Sequence, residues 1–367
     1  MSRSESPGPA AVQPPVDLLD RLPEEISAFL ADRDQPPYRG LQVFQWIHER
    51  RAAGFDAMTN LPKDLRATLA GAATISRLEP ERVLDSSDGS RKLVFATPEG
   101  DRFHAVLMPS EDRVTLCISS QIGCRMGCRF CLTGRMGRVR DLTASEILGQ
   151  VHAAARLLTP PARVSNVVFM GMGEPLDNLD AVLRAVRVMT HREGLKIAPR
   201  RTTVSTVGLL SRLPELVRAG TGASIAISLC ATTDEARNAV VPIGRRFGLD
   251  ALVDALRANP LPHGHVYTIE YQLIRGVGDS VEDARRLSRM LARFPSKVNL
   301  IPFNPWPGSP FERPTDDAIE AFRRILEDRN HRVTVRRSRG QDIGAACGQL
   351  EGVPRPGAAA DGGTEAP

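Results

Sequence analysis

The chain of 367 residues carries 48 Lys and Arg against 43 Asp and Glu, a net charge of +5, with 42% hydrophobic and 25% charged residues. That balance excludes a disordered chain, and no apolar run reaches the roughly 18 residues a membrane helix needs. The positive bias is too mild to name a nucleic-acid partner, and the N-terminal MSRSESPGPAAVQPP lacks a signal peptide's apolar stretch, so a cytoplasmic protein without membrane contact is expected.

In chain order, residues 1–16 and 353–367 are rich in Pro, Ala, Ser and Gly and are expected to be disordered tails. Residues 17–78 read as a small helical domain, with helical spacing of apolar residues over 17–32, 38–51 and 61–70. Residues 79–110 place Asp88-Gly89 and Glu99-Gly100 between apolar runs, which predicts a short antiparallel β extension. From residue 111 to 352, β-rich runs (114–119, 166–170, 202–206, 224–229, 267–274 and 297–303) alternate with helical stretches (143–158, 178–192, 208–219, 248–258, 280–293 and 315–329). A run at 332–337 offers one more strand.

Such alternation predicts an α/β fold with parallel strands, either an open doubly wound sheet or an incomplete (β/α)6 barrel. Polar and reactive residues gather just past these strands: Cys124 to Cys131, Gly171 to Glu174, Ser205, Ser228, Cys230 and Asn304. Sites at the C-terminal ends of strands favour the barrel.

Six cysteines are present, and three lie within eight residues as Cys124-Arg125-Met126-Gly127-Cys128-Arg129-Phe130-Cys131. Zinc sites pair a close Cys set with a second distant pair to reach four ligands. Here the close set stops at three, as suits an iron–sulfur cluster with one iron left for a non-protein ligand. A zinc site completed by Cys117 or a distant residue is the alternative.

This C-x₃-C-x₂-C run resembles the signature of the radical S-adenosylmethionine (SAM) superfamily. DRVTLCISSQIGC (112–124), VVFMGMGEPLDN (167–178), RRTTVSTVGL (200–209), VNLIPFNPWPGSPF (298–311) and RGQDIGAACGQL (339–350) are similar to the RlmN/Cfr RNA methyltransferases. YRGLQVFQWIHER and FDAMTNLPKDLR resemble that family's N-terminal helical, RNA-binding-like domain. The resemblance implies a [4Fe–4S] cluster on Cys124, Cys128 and Cys131, and SAM bound by Gly173, Glu174, Ser205, Ser228, Leu229, Cys230 and Asn304. It implies that Cys347 carries a methyl group as S-methylcysteine, and that Cys117 later forms a transient disulfide with it.

The implied reaction is methylation of an adenine ring carbon in RNA, C2 of adenosine-2503 in 23S rRNA and also tRNA. A flavodoxin or ferredoxin would supply the electron, and a monomer is expected. Two positions depart from the family pattern. His104 stands where the family has the glutamate that removes the adenine proton, and is the provisional base here. Cys230 stands where the family has histidine. These departures leave open C8 methylation or another RNA target; a metal-stabilised RNA-binding module without turnover is the reading from a different class. Basic runs at 125–140, 184–201 and 332–339 offer phosphate contacts.

Overall fold

The computed structural model describes residues 15–160 and 162–351. The expected disordered tails lie outside these residues, except that Val16 is placed in a strand. The chain divides into two compact units after residue 77.

In the N-terminal unit, β1 (Val16–Asp17) pairs in parallel with β2 (Ala73–Thr74), and α1 (Pro23–Ala31), α2 (Tyr38–His48) and α3 (Lys63–Ala72) lie between them in sequence. The helix expected from residue 17 begins only at Pro23, a residue that cannot donate within a helix and therefore opens one. Ile26, Leu30, Val43, Phe44, Ile47, Leu65 and Leu69 form the core. Gly40 lets α2 approach α1, because a Cβ there would lie 2.2 Å from the Ser27 hydroxyl.

The second unit is built on one ten-stranded sheet. Strands β3 (Arg82–Asp85), β4 (Arg91–Ala96) and β5 (Arg102–Ser110) form the expected meander. β5 pairs antiparallel with β6 (Arg113–Cys117), so the meander continues the main sheet. A separate hairpin of β7 (Gln121–Cys124) and β8 (Gly137–Asp141) encloses the short α4 (Leu132–Arg135).

Helix α5 (Ala144–Arg156) leads to β9 (Asn166–Phe169), α6 (Leu179–Thr190) to β10 (Thr202–Thr206), and α7 (Leu213–Arg218) to β11 (Ser224–Ser228). Two helices, α8 (Asp234–Val240) and α9 (Leu249–Ala258), precede β12 (Tyr267–Leu273). Then follow α10 (Val281–Leu291), β13 (Ser296–Pro302), α11 (Asp316–Glu327) and β14 (Val333–Val335). β6 and β9 to β14 run parallel to one another, in the sheet order β14-β13-β12-β11-β10-β9-β6-β5-β4-β3. Six strand–helix units and a final strand thus form the mostly parallel sheet of an incomplete barrel, with β14 and β3 as edges. Apolar runs of adjacent parallel strands pack under helices, as in Val204, Ile225, Ala226, Ile227, Ile269 and Leu300, all buried. Helix α8 escaped the pattern reading because seven residues are too few to establish a helical period.

Candidate active site

Cys124 ends β7, and Cys128 and Cys131 lie in the turn inside the β7–β8 hairpin. The hairpin register shifts between Ile122 and Gly123. Gly123 has φ +72, and a Cβ on it would lie 1.9 Å from the Gly137 carbonyl, so only glycine fits. The turn is closed by the Cys131 N–H donating to the Cys128 carbonyl at 3.1 Å, and the Arg129 N–H donates to Val240 at 2.9 Å. Gly134 packs under the Cys128 backbone, where a Cβ would meet its carbonyl at 2.8 Å.

All three cysteines are free and line one cleft. Burial pushes all three above the ordinary thiol range; for Cys124, the nearby Glu174, Cys131 and Asp177 raise it further. A buried thiolate set facing acidic neighbours suits a soft, cationic group that holds the sulfurs deprotonated. Among the described residues, no three His, Cys, Asp or Glu side chains converge as ligands of a single metal ion.

The opposite wall comes from the strand ends. After β9, the Gly171 N–H donates to the Ile118 carbonyl at 3.1 Å and the Met172 N–H to the Ser119 hydroxyl at 2.8 Å. The Gln150 side chain of α5 locks that segment, accepting from the Ser119 N–H and donating to its carbonyl at 2.8 and 2.9 Å. Gly173 has φ +101, and a Cβ there would lie 2.6 Å from the Gln121 side chain. Glu174 is buried, its carboxylate accepting from the backbone N–H groups of Leu176 (3.0 Å) and Val207 (2.9 Å). Burial pushes it up to about 7, against the lowering effect of the Thr206 hydroxyl and these N–H groups. Ser205 and Ser228 complete the expected residues on this wall.

Leu229 and Cys230 are not among the residues lining the cleft, contrary to expectation. Side chains alternate along a strand, so Ser228 at the end of β11 faces the cleft and Leu229 turns into the core, 1% exposed. Cys230, at φ +67, packs behind Cys128 with Val240, Val241 and Ile274, and burial pushes its thiol up to about 12. Asn304 lies elsewhere, in the wall of a second cavity.

That second, small cavity is lined by Cys117, Cys347, Met108, Asn304 and Arg336 among others. Cys347, Met170, Ile301 and Arg336 also line the first cleft, so the Cys347 side chain belongs to both. Burial pushes Cys117 up to about 12; Cys347 raises it further and Arg336 lowers it. His104 sits on the same face of β5 as Val106 and Met108, yet lines neither cavity. Its Nε2 lies 2.7 Å from the Glu351 carbonyl, and its buried Nδ1 has no partner. Burial, then Lys92, hold the ring down at about 4, against the hydrogen bond to Glu351.

The sequence reading missed Glu270 and Gln272, and named Arg336 only as part of a basic run. The available signal for the first two was a pair of polar residues two apart in the apolar strand YTIEYQLI. Several arginines of the basic runs are paired with acids. Arg125 pairs with Asp177, Arg138 with Asp141 and Arg140 with Glu146, and Arg339 is held by Asp88, Ser90 and Pro109. Asp177 and Asp88 reach Arg125 and Arg339 from distant parts of the sequence, whereas Asp141 and Glu146 lie three and six residues from their partners.

Residues 16–75 match the family of the ribosomal RNA large subunit methyltransferase N-terminal domain, and residues 118–287 match the radical SAM superfamily. A "Dual-specificity RNA methyltransferase RlmN" from Geobacter sulfurreducens is 48% identical over 337 residues, 92% of each chain. The chain belongs to the RlmN family of radical SAM methyltransferases. The relative of the same name from Anaeromyxobacter sp. is 43% identical, covering 95% of this chain and 94% of its own. A crystal structure of a radical SAM methyltransferase from Sphaerobacter thermophilus superposes with a TM-score of 0.85 at 43% identity, covering 91% of this chain and 99% of that one. As a member of this family the chain is a SAM-dependent methyltransferase, with a [4Fe–4S] cluster and SAM as cofactors. No helix among the described residues is long and apolar enough to cross a membrane.

Proposed function

We propose that this protein methylates the C2 carbon of an adenine in RNA, with Cys347 carrying the methyl group. The observation that carries this reading is that Cys347 belongs to both cavities, one walled by the cysteine triplet and the other by Cys117. Cys124, Cys128 and Cys131 would hold the cluster through their thiolates. Gly173, Glu174, Ser205 and Ser228 would bind SAM, with the Glu174 carboxylate taking the ammonium group. The cofactors supply a radical able to remove hydrogen from a methyl group, which an unreactive aromatic carbon requires.

Cys347 first accepts a methyl group on its sulfur and presents the resulting S–CH₃ carbon to adenine. Joining that carbon to the ring costs the methyl group one hydrogen atom, which the cofactor radical would take, and costs the ring carbon one proton, taken by a base, and one electron, which the cluster would take up. Cys117 thiolate then attacks the Cys347 sulfur: an S–S bond forms as the S–C bond breaks, and the electron pair left on carbon takes a proton. Arg336 lies beside both sulfurs and draws the Cys117 thiol down, against the larger upward push of burial. His104 is the proposed base. The Glu351 carbonyl can only accept, so Nε2 carries the hydrogen and the unpartnered Nδ1 lone pair is free for a proton.

The names of the similar proteins support RNA as substrate, with adenosine-2503 of 23S rRNA and tRNA as the targets we propose. A flavodoxin or ferredoxin is the proposed electron donor to a monomeric cytoplasmic enzyme. The deciding test is the mass of the Cys347 peptide after anaerobic reconstitution with iron, sulfide, SAM and reductant. One added methyl group is expected, and an unmodified peptide would refute the scheme.

A further inference from the structure

Helix α8 ends against the turn that carries the cysteine triplet. The Arg129 N–H donates to the Val240 carbonyl at 2.9 Å, and Val240 and Val241 pack with Cys124, Cys128 and Cys230. Arg237 lies on this helix one turn before Val241 and is 2% exposed. Its Nη2 donates to the Val207 carbonyl at 2.9 Å and its Nη1 to the Phe247 carbonyl at 3.2 Å, while its Nε is buried without a hydrogen-bond partner. Val207 lines the cysteine cleft, so the guanidinium meets that wall from behind.

No carboxylate balances this charge. Among the described residues Arg237 forms no ion pair, and Asp234 on the same helix is exposed, its carboxylate accepting from the Leu249 N–H at 2.7 Å. Glu174 lies on the far side of the Val207 peptide, whose N–H it accepts at 2.9 Å. A guanidinium keeps its proton at any ordinary pH, and burying it against neutral carbonyls alone is costly. The acidic groups that favour its charge most are the Cys230 and Cys128 thiols, ahead of Asp234. Burial pushes Cys230 up to about 12, so it stays a neutral thiol. That leaves the Cys128 side, where a cluster held by three thiolates would carry net negative charge, increased by one electron on reduction.

We infer that Arg237 is a fixed counter-charge behind Cys128 that makes the cluster easier to reduce. This rests on the ligand role proposed for Cys124, Cys128 and Cys131 and adds to it. Arg237 is neither a ligand nor a catalytic residue. It acts through the protein interior, where a charge is weakly screened, and its bonds to Val207 and Phe247 hold it in place. Cluster potentials respond to net charge and burial, and reduction adds the negative charge that a nearby cation favours.

The test uses the full chain reconstituted with iron and sulfide, poised at fixed potentials at pH 7 and read by the paramagnetic resonance of the reduced cluster. Two variants separate charge from hydrogen bonding. Arg237→Gln keeps an N–H donor and loses the charge; Arg237→Lys keeps the charge with a different donor geometry. At a potential where the wild-type protein is half reduced, Arg237→Gln should show a reduced-to-oxidised ratio lower by about tenfold, which is about 59 mV for one electron. Arg237→Lys should stay close to wild type. An unshifted Gln variant would overturn the inference, and so would a Lys variant shifted as far as Gln, since the hydrogen bonds to Val207 and Phe247 would then be what matters. Should Arg237→Gln fail to fold or to take up the cluster, Arg237→Lys decides. A loaded Lys variant at the wild-type potential supports the counter-charge, whereas a shifted or unloaded one overturns it. A wild-type protein without a cluster signal defeats the ligand reading and this inference with it. A wild-type signal with unshifted variants defeats the inference alone.

Discussion

The Ser205 hydroxyl donates to Glu270 Oε2 at 2.8 Å, and the other carboxylate oxygen, Oε1, is buried without a hydrogen-bond partner. The pair joins β10 to β12 across β11 and lines the cysteine cleft. With its proton spent on Glu270, Ser205 offers only lone pairs, so this stretch of wall accepts hydrogen bonds and donates none. It suits a ligand that brings hydroxyl or ammonium donors. Glu270→Ala should therefore weaken binding of S-adenosylhomocysteine by about tenfold or more, read by calorimetric titration, through loss of a charge-assisted acceptor. Unchanged affinity would remove Glu270 from the binding wall.

Replacing Cys124, Cys128 or Cys131 singly with Ala should abolish bound iron–sulfur absorbance and 5′-deoxyadenosine production. Circular dichroism should stay close to wild type, because these side chains hang from a hairpin turn whose backbone hydrogen bonds survive the change. A variant that kept full iron and full SAM cleavage would take that cysteine out of the ligand set.

Glu174 sets a pH dependence. Its folded-state value is raised from 4.5 to about 7 by burial. A raised value means that its contribution to stability is fully present below about 4.5 and is lost as pH rises through about 7. In the absence of SAM, Glu174→Gln should raise the melting temperature relative to wild type at pH 8 and have little effect at pH 4.5. The same variant should weaken SAM binding most at pH 8, where the lost carboxylate would be charged. A melting difference independent of pH would contradict this ionisation.

Cys117 and His104 should fail at different chemical steps but with one visible result. Cys117→Ala should leave RNA joined to Cys347, seen as a protein–RNA band that survives denaturing electrophoresis. His104→Ala should trap the same species if the ring takes the adenine proton; normal turnover in that variant would remove His104 from the reaction and leave it a buried side chain under Glu351.

Gly173→Ala should be severely destabilising at the site. It forces a side chain to φ +101 and drives a Cβ to 2.6 Å from the Gln121 side chain and 2.7 Å from its backbone N. A loss of about 2 kcal/mol or more is expected in denaturant unfolding, from backbone strain and overpacking together. SAM binding should fall in parallel, since Glu174 is the next residue.

The sequence by itself determined the order and type of the elements. Apolar spacing placed the parallel strands and most of their helices, Asp88-Gly89 and Glu99-Gly100 marked the meander turns, and three cysteines in eight residues marked the cleft. These signals are local: each depends on residues within one element or turn. Tertiary structure decided what crosses between elements. It joined β5 to β6 in one sheet, turned Leu229 and Cys230 away from the cleft, and paired Arg125 with Asp177. It also brought Cys347 within reach of both cavities and committed the Asn304 amide to its loop, 43 residues away. Such partners are chosen by packing between distant segments, and no periodicity along the chain records that choice.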